Sequence, residues 1–186
     1  MLLAYIAALL MGICLGLLGS GGSIITLPVL VYIVGRPEKL AIGESLAIVG
    51  IIACIAAIPY AFRLKIIWRI VFYFGISGIF GAFVGAHLSY FVSSTFQLIL
   101  FAFMLIIAAA SMNITRKSLA PVAEPTHPNW MMIIEGIVIG FLTGLLGIGG
   151  GFMIVPTLLF IMNLSMNYTI GTSLVIITMN AFSGFF

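Results

Sequence analysis

A glycine-rich stretch occurs twice in this chain, and each time it interrupts an apolar segment. Gly16-Leu17-Leu18-Gly19-Ser20-Gly21-Gly22 returns as Gly144-Leu145-Leu146-Gly147-Ile148-Gly149-Gly150, 128 positions later. The register continues without a gap. Pro28 falls on Pro156, Ile42-Gly43 on Ile170-Gly171, and Ser45-Leu46 on Ser173-Leu174. About 15 positions are identical between Gly12–Gly50 and Gly140–Thr178, too many for chance in one register. The chain is therefore read as two internal repeats, each containing a Gly-broken helix or a re-entrant hairpin.

Composition fixes the solvent. The sequence is 63% hydrophobic and 6% charged, with a mean hydropathy of +1.37. A soluble domain carries about a quarter charged residues, so this one has too few to cover a water-facing surface. Uncharged apolar runs of this length read as membrane-spanning helices. A transmembrane barrel needs alternating segments instead, which are absent. The expected fold class is all-α: a polytopic transmembrane helical bundle. The net charge of +3 comes from basic residues scattered through connecting segments, which gives no basis for nucleic-acid binding. Cys14 and Cys54 lie inside apolar runs without a CxxC spacing or a nearby His, and read as small lipid- or helix-facing residues. The first apolar segment lacks a basic leader and runs into the duplicated motif, so it is kept as part of the mature protein.

Along the chain, Leu2–Leu18 forms a first apolar helix, followed by the break at Gly19–Ser23 and the short stretch Ile24–Val34. At 1.5 Å per residue that stretch reaches only about 17 Å, too short to cross alone. It either completes a broken span or returns as one arm of a hairpin. Spans are expected at Leu40–Tyr60, Ile70–Phe91, Phe96–Met112, Trp130–Leu146 and Thr169–Phe186, with Phe152–Met162 as the second short stretch. Gly75, Gly78, Gly81 and Gly85 let a neighbouring helix approach closely. The organisation is a first repeat at 1–112, a polar Pro-rich linker at 113–129 and an incomplete second repeat at 130–186. Counterparts of Ile51–Met112 would need about sixty more residues, so the sequence reads as truncated in its second half. Basic residues place loops 61–69 and 113–129 in the cytoplasm, with Arg36 and Lys39 outside against the trend.

Consecutive glycines admit positive φ and close backbone approach. Opened backbone inside a membrane must line a cavity or be buried by protein. N–H groups at the start of each following half-helix then form a nest suited to an oxyanion. The candidate substrate-binding residues are Gly19, Ser20, Gly21, Gly22, Ser23 and Ser45, with Gly147, Gly149, Gly150, Gly151, Thr172 and Ser173 from the second copy. Thr26 adds a further hydroxyl in the first copy, whereas the second offers Ile148 and Ile154 at the corresponding places, so the halves contribute unequally. The plainer alternative is that both breaks are close-packing points between crossing helices. Glu44, His87 and Glu135 are ionisable groups near or inside spans and are candidates for proton coupling; for each, a boundary residue is the competing reading. Glu44 sits where a solvated carboxylate suits a helix start. Gly19–Gly22 lacks the lysine of a phosphate-binding loop. No catalytic constellation, metal site or cofactor is expected.

The duplicated G-L-L-G-x-G-G with its trailing proline, and the I-G-[ET]-S-L that follows, resembles the TauE/SafE family of membrane proteins, also called sulfite exporters. The resemblance covers the whole chain. By matching position it takes in Gly19, Gly21, Gly22, Pro28, Gly43 and Ser45, with Gly147, Gly149, Gly150, Pro156, Gly171 and Ser173. It implies a multi-pass protein of the bacterial inner membrane built from two halves of about four spans each. It also implies transport of a small sulfur-containing anion, such as sulfite, sulfoacetate or a related organosulfonate, coupled to an ion gradient. The missing final spans are a departure from the family pattern.

The function expected is secondary transport of a small anion by alternating access, with the solute near the midplane between the paired Gly motifs. No Arg or Lys lies mid-span, so backbone dipoles and hydroxyls would hold the anion, giving moderate affinity and tolerance among similar anions. Expected partners are the lipid bilayer, the anionic solute and a coupling ion (proton or sodium), and a homo-oligomer is left open. The competing classes are a non-transporting membrane assembly partner, whose glycines serve helix packing, and an anion channel.

Overall fold

The computed structural model describes residues 9, 12–13, 26–63, 65–114, 128–147, 150–162 and 164–185. The first glycine break, Gly19–Ser23, lies outside them, as do Cys14, Ile148, Gly149 and linker residues 115–127. Helix α1, Glu38–Phe62, begins after Pro37, whose carbonyl accepts the Leu40 and Ala41 amides at 3.0 and 2.9 Å. Proline there costs little, because the first amides of a helix have no partner within it. Helix α2, Trp68–Ser89, contains a π-helical turn at Val71–Gly75. Helix α3 is Ser94–Ile114 and α4 is Asn129–Leu146. Gly147 ends α4 at φ +67°, donating its N–H to the Thr143 carbonyl at 2.9 Å. Gly150, at φ +64°, opens α5, Gly151–Pro156, which runs into a π-helical turn at Thr157–Ile161. Helix α6, Met166–Phe185, follows.

The bundle is all-helical. Lys39–Phe62, Trp68–Ser89 and Asn129–Leu146 are long and apolar enough to cross a membrane, and Thr95–Ala110 is a shorter apolar helix. Large apolar side chains point outward along them, among them Ile55, Phe72, Phe80, Ile106 and Ile134. An outside this apolar belongs in hydrocarbon. The interior is filled from both sequence halves. Phe74, Met132, Leu158, Leu174 and Ile177 form one packed cluster, while Ile42, Leu46, Phe101, Leu146 and Phe152 form a second.

Close contacts give each helix its direction. A β-carbon on Gly136 would strike the Ser77 hydroxyl and the Phe74 carbonyl, one on Gly140 the Gly78 carbonyl, and one on Gly144 the Ala82 carbonyl. These contacts advance along both helices together, so α2 and α4 run parallel. Gly78, Gly81 and Gly85 are the α2 side of this seam, as the small-residue spacing predicts. Gly75 instead faces α6, where its β-carbon would lie 3.3 Å from Met179 Sδ. Between α1 and α6 the order reverses: Tyr60 lies against Gly171, Gly50 against Ala181 and Leu46 against Gly184. The two helices carrying the matched I-G-x-S-L segments are therefore antiparallel.

These directions answer a question the sequence left open. Both α4 and α6 start at the end of the bundle that holds the 63–67 connection. Arg69 donates to Asn129 Oδ1 at 2.6 and 3.2 Å, and the Ile67 amide donates to Thr172 Oγ1 at 3.1 Å. Residues 151–161 must therefore carry the chain back, as the returning arm of a hairpin. The earlier short arm has matching local geometry. Its π-helical turn, Val29–Ile33, follows Pro28 as Thr157–Ile161 follows Pro156. The bonds Val34 N–H to Val29 and Arg36 N–H to Leu30, both 3.0 Å, recur as Met162 to Thr157 and Leu164 to Leu158, both 3.1 Å. Each pair is displaced by the same 128 positions.

Candidate functional site

The second glycine break sits at the opposite end of the bundle from the 63–67 connection, pressed against the start of α1. Two of its described glycines, Gly147 and Gly150, need positive φ, which L side chains adopt only with strain. A β-carbon on Gly147 would collide with Ile42, and one on Gly150 with the Thr143 hydroxyl. The Ser45 hydroxyl donates to the Gly147 carbonyl and lies 2.8 Å from the Ile42 carbonyl. Gly147, Gly150 and Gly151 are buried, and Ser45 is fully so. Gly147 is thus covered by the other sequence half, with its carbonyl already satisfied, and Gly150 by Thr143 of its own half. Opened backbone here is buried by protein, one of the two arrangements a membrane permits.

Thr172 and Ser173 do not join this group. They open α6 beside Lys65 and Ile67, at the far end of α1 from Ile42. Ile42 to Tyr60 spans about 27 Å of helix. Both hydroxyls are fully buried, but they differ in what they can offer. Ser173 donates its proton to the Ile170 carbonyl at 3.0 Å, while Thr172 accepts the Ile67 amide and keeps its own proton to donate. Thr143 likewise donates to the Ile139 carbonyl at 2.7 Å. Expecting hydroxyls to supply donors overlooks this local bonding, since Ser and Thr inside helices turn back to carbonyls three or four residues earlier. Thus the structure brings Ser45, Gly147, Gly150 and Gly151 together, places Thr172 and Ser173 elsewhere, and leaves Gly19, Ser20, Gly21, Gly22, Ser23 and Gly149 undescribed. The described members do not form a single hollow.

The ionisable candidates are also dispersed. Glu44 pairs with Arg36 at 3.3 Å, and both side chains are substantially exposed. His87 is exposed and lies with its ring 5.4 Å from that of Phe83. Glu135 is half-buried on α4 between the fully buried Met132 and the buried Ile139. Among the described residues no cluster of His, Cys, Asp or Glu is suited to a metal ion.

One polar residue escaped the sequence reading altogether. Asn180 on α6 is fully buried, and neither Oδ1 nor Nδ2 has a hydrogen-bond partner. It abuts Gly78 of α2, where a β-carbon would come within 2.6 and 2.9 Å of those two atoms. Its counterpart in the 128-residue register is Ile52, so comparing the two copies could not single it out. The available signal was simply an amide inside an apolar run.

The sequence pattern described as sulfite exporter TauE/SafE matches residues 4–186. A probable membrane transporter protein of Xylella fastidiosa (strain Temecula1) is 35% identical over 170 residues, covering 89% of this chain and 65% of that protein. The probable membrane transporter protein MJ0441 of Methanocaldococcus jannaschii is 33% identical over 162 residues, covering 84% and 60%. YdhB of Bacillus subtilis, also named a probable membrane transporter protein, is 29% identical over 187 residues, covering 98% and 76%. The chain thus spans a little under two thirds of the length of the first of these relatives. No solved structure matches it. With the family pattern matching almost end to end, the chain belongs to the TauE/SafE sulfite exporter family.

Proposed function

We propose that this chain acts in secondary transport of a small sulfur oxyanion, sulfite or an organosulfonate, by alternating access across a bacterial inner membrane. The observation that carries the reading is the antiparallel pairing of α1 and α6, the two helices that share the I-G-x-S-L segment. Oppositely oriented repeats provide two related half-structures that can rock against each other around a central site. Family membership and the names of the relatives support the transport class. The arrangement described is then the closed one at the Gly147 end. When the start of α1 moves off the turn, Ile42 withdraws, Ser45 releases the Gly147 carbonyl, and the amides that open α5 become available to an anion. Loops 61–69 and 113–129 face the cytoplasm in this reading, in keeping with their basic residues. Of the three coupling candidates, Glu135 is the most suitable for a proton, being half-buried within a span.

Flux into proteoliposomes tests the proposal. A carrier gives saturable sulfite uptake and counterflow, a channel gives flux that does not saturate, and an assembly partner gives none above empty vesicles. Gly21→Leu and Gly149→Leu should each abolish uptake while leaving membrane insertion intact. The packing-only reading has a specific observation in its favour: Ile42 and Thr143 fill the space that side chains at Gly147 and Gly150 would need. It predicts that the variants lose stability, with no solute-dependent activity to lose.

A further inference from the structure

Asn180 carries the strongest unexplained feature of the molecule. Its carboxamide is fully buried, with both polar atoms unpartnered, about 21 Å along α6 from Met166. At that depth in a membrane, water does not routinely satisfy it, and an unmade hydrogen bond of this kind is costly. The surroundings are arranged around the amide. Gly78 lacks the β-carbon that would push it aside, and Gly140 lets α4 close on the same point of α2, so three helix backbones converge here. Nearby polar groups are already committed: the Ser77 hydroxyl donates to the Tyr73 carbonyl at 2.7 Å and lies 3.0 Å from the Phe74 carbonyl, and Ser183 donates to the Ile79 carbonyl. Asn180 alone of these is left with both a donor and an acceptor to offer.

We propose that Asn180 is a solute-contacting residue that recognises an oxyanion still carrying one proton. The amide Nδ2 donates to an anionic oxygen of the solute, while Oδ1 accepts from its O–H, so one ligand satisfies both orphaned atoms. A fully deprotonated oxyanion would satisfy only the donor and leave Oδ1 facing negative charge. The neutral carboxamide would thus favour hydrogensulfite over sulfate without a buried cation. Contact forms when α6 shifts along α2 during the transport cycle. This inference rests on the transport reading and deepens it by naming the protonation state of the solute.

The test uses labelled sulfite with the protein in proteoliposomes, together with its thermal midpoint in detergent. Wild-type uptake should rise as the external pH falls from alkaline to mildly acidic at constant total sulfite, and excess sulfate should not compete. Asn180→Leu should lower uptake at least tenfold while leaving the midpoint unchanged or higher, since it removes an unsatisfied polar group. If leucine overfills the site, Asn180→Ala should show the same loss of uptake, and sulfite should no longer raise its midpoint. Uptake by the folded variants at the wild-type rate, or effective competition by sulfate, would overturn the proposal while the transport reading stands. Wild-type vesicles that take up no sulfite at all would remove the transport reading, and this inference with it.

Discussion

Two seams join the first half of the sequence to the second, and they are made differently. In the α2–α4 seam, β-carbons on Gly81, Gly85, Gly140 and Gly144 would run into the main chain of the opposite helix. In the α1–α6 seam the neighbours are side chains: Gly50 faces the Ala181 β-carbon at 3.3 Å and Gly184 faces Leu46 Cδ1 at 3.2 Å. Main chain cannot yield, whereas Leu46 can change rotamer and the Ala181 β-carbon needs to give only a few tenths of an ångström. In the proposed transport cycle the first seam is the fixed frame, and relative movement belongs to the second. The sealed glycine turn lies on the movable side, because Ile42 and Ser45 belong to α1.

The sharpest way to break this contrast is to put side chains into both seams. Gly140→Leu should cost about 3 kcal/mol or more, since overpacking against backbone has no rotamer to relieve it. A collapsed thermal midpoint in detergent, with poor recovery of folded protein, is the expected result. At the turn, Gly147→Ala should cost about 1–2 kcal/mol for the left-handed backbone, with the contact against Ile42 in addition. Adding Ile42→Ala should relieve only the contact, so a double-mutant comparison of midpoints separates the two causes. Ser45→Ala should lose about 1 kcal/mol with its bond to the Gly147 carbonyl. Smallest of all, Gly50→Ala in the side-chain seam should change stability by less than about 1 kcal/mol, the tight 3.3 Å approach to Ala181 being offset by alanine's better helix propensity. If Gly50→Ala proved as damaging as Gly140→Leu, the distinction between frame and movable face would be lost.

Much of this was legible in advance, for identifiable reasons. Span positions follow from apolar run length, which is why Trp130–Leu146 lies within a residue of Asn129–Leu146. Positive φ at Gly147 and Gly150 follows from what consecutive glycines permit. The direction of the second short arm did not follow, since a stretch of that length fits a broken span or a hairpin equally well; contacts with residues far away in sequence decide it. The paired π-helical turns were signalled only by Pro28 and Pro156, each of which removes the amide that would close an ordinary helical bond. The candidate site was read less well. Ser173 looked like a free donor, yet its proton goes to the Ile170 carbonyl one turn away, a local choice that spacing does not reveal. Thr172 and Ser173 also proved remote from Gly147, because the helices that carry the two motifs run in opposite directions.

The central claim is that the Gly147 turn is a gate that α1 opens and closes. Ser45→Cys tests it most directly, in a background with Cys14 and Cys54 replaced by serine, using a membrane-impermeant thiol reagent on sealed proteoliposomes. Ser45 is fully buried in the arrangement described, so labelling requires the start of α1 to leave the turn. The account predicts labelling from one side of the membrane, at a rate that sulfite slows. A cysteine there that stays unreactive until the protein is denatured, in vesicles that still transport sulfite, would contradict it.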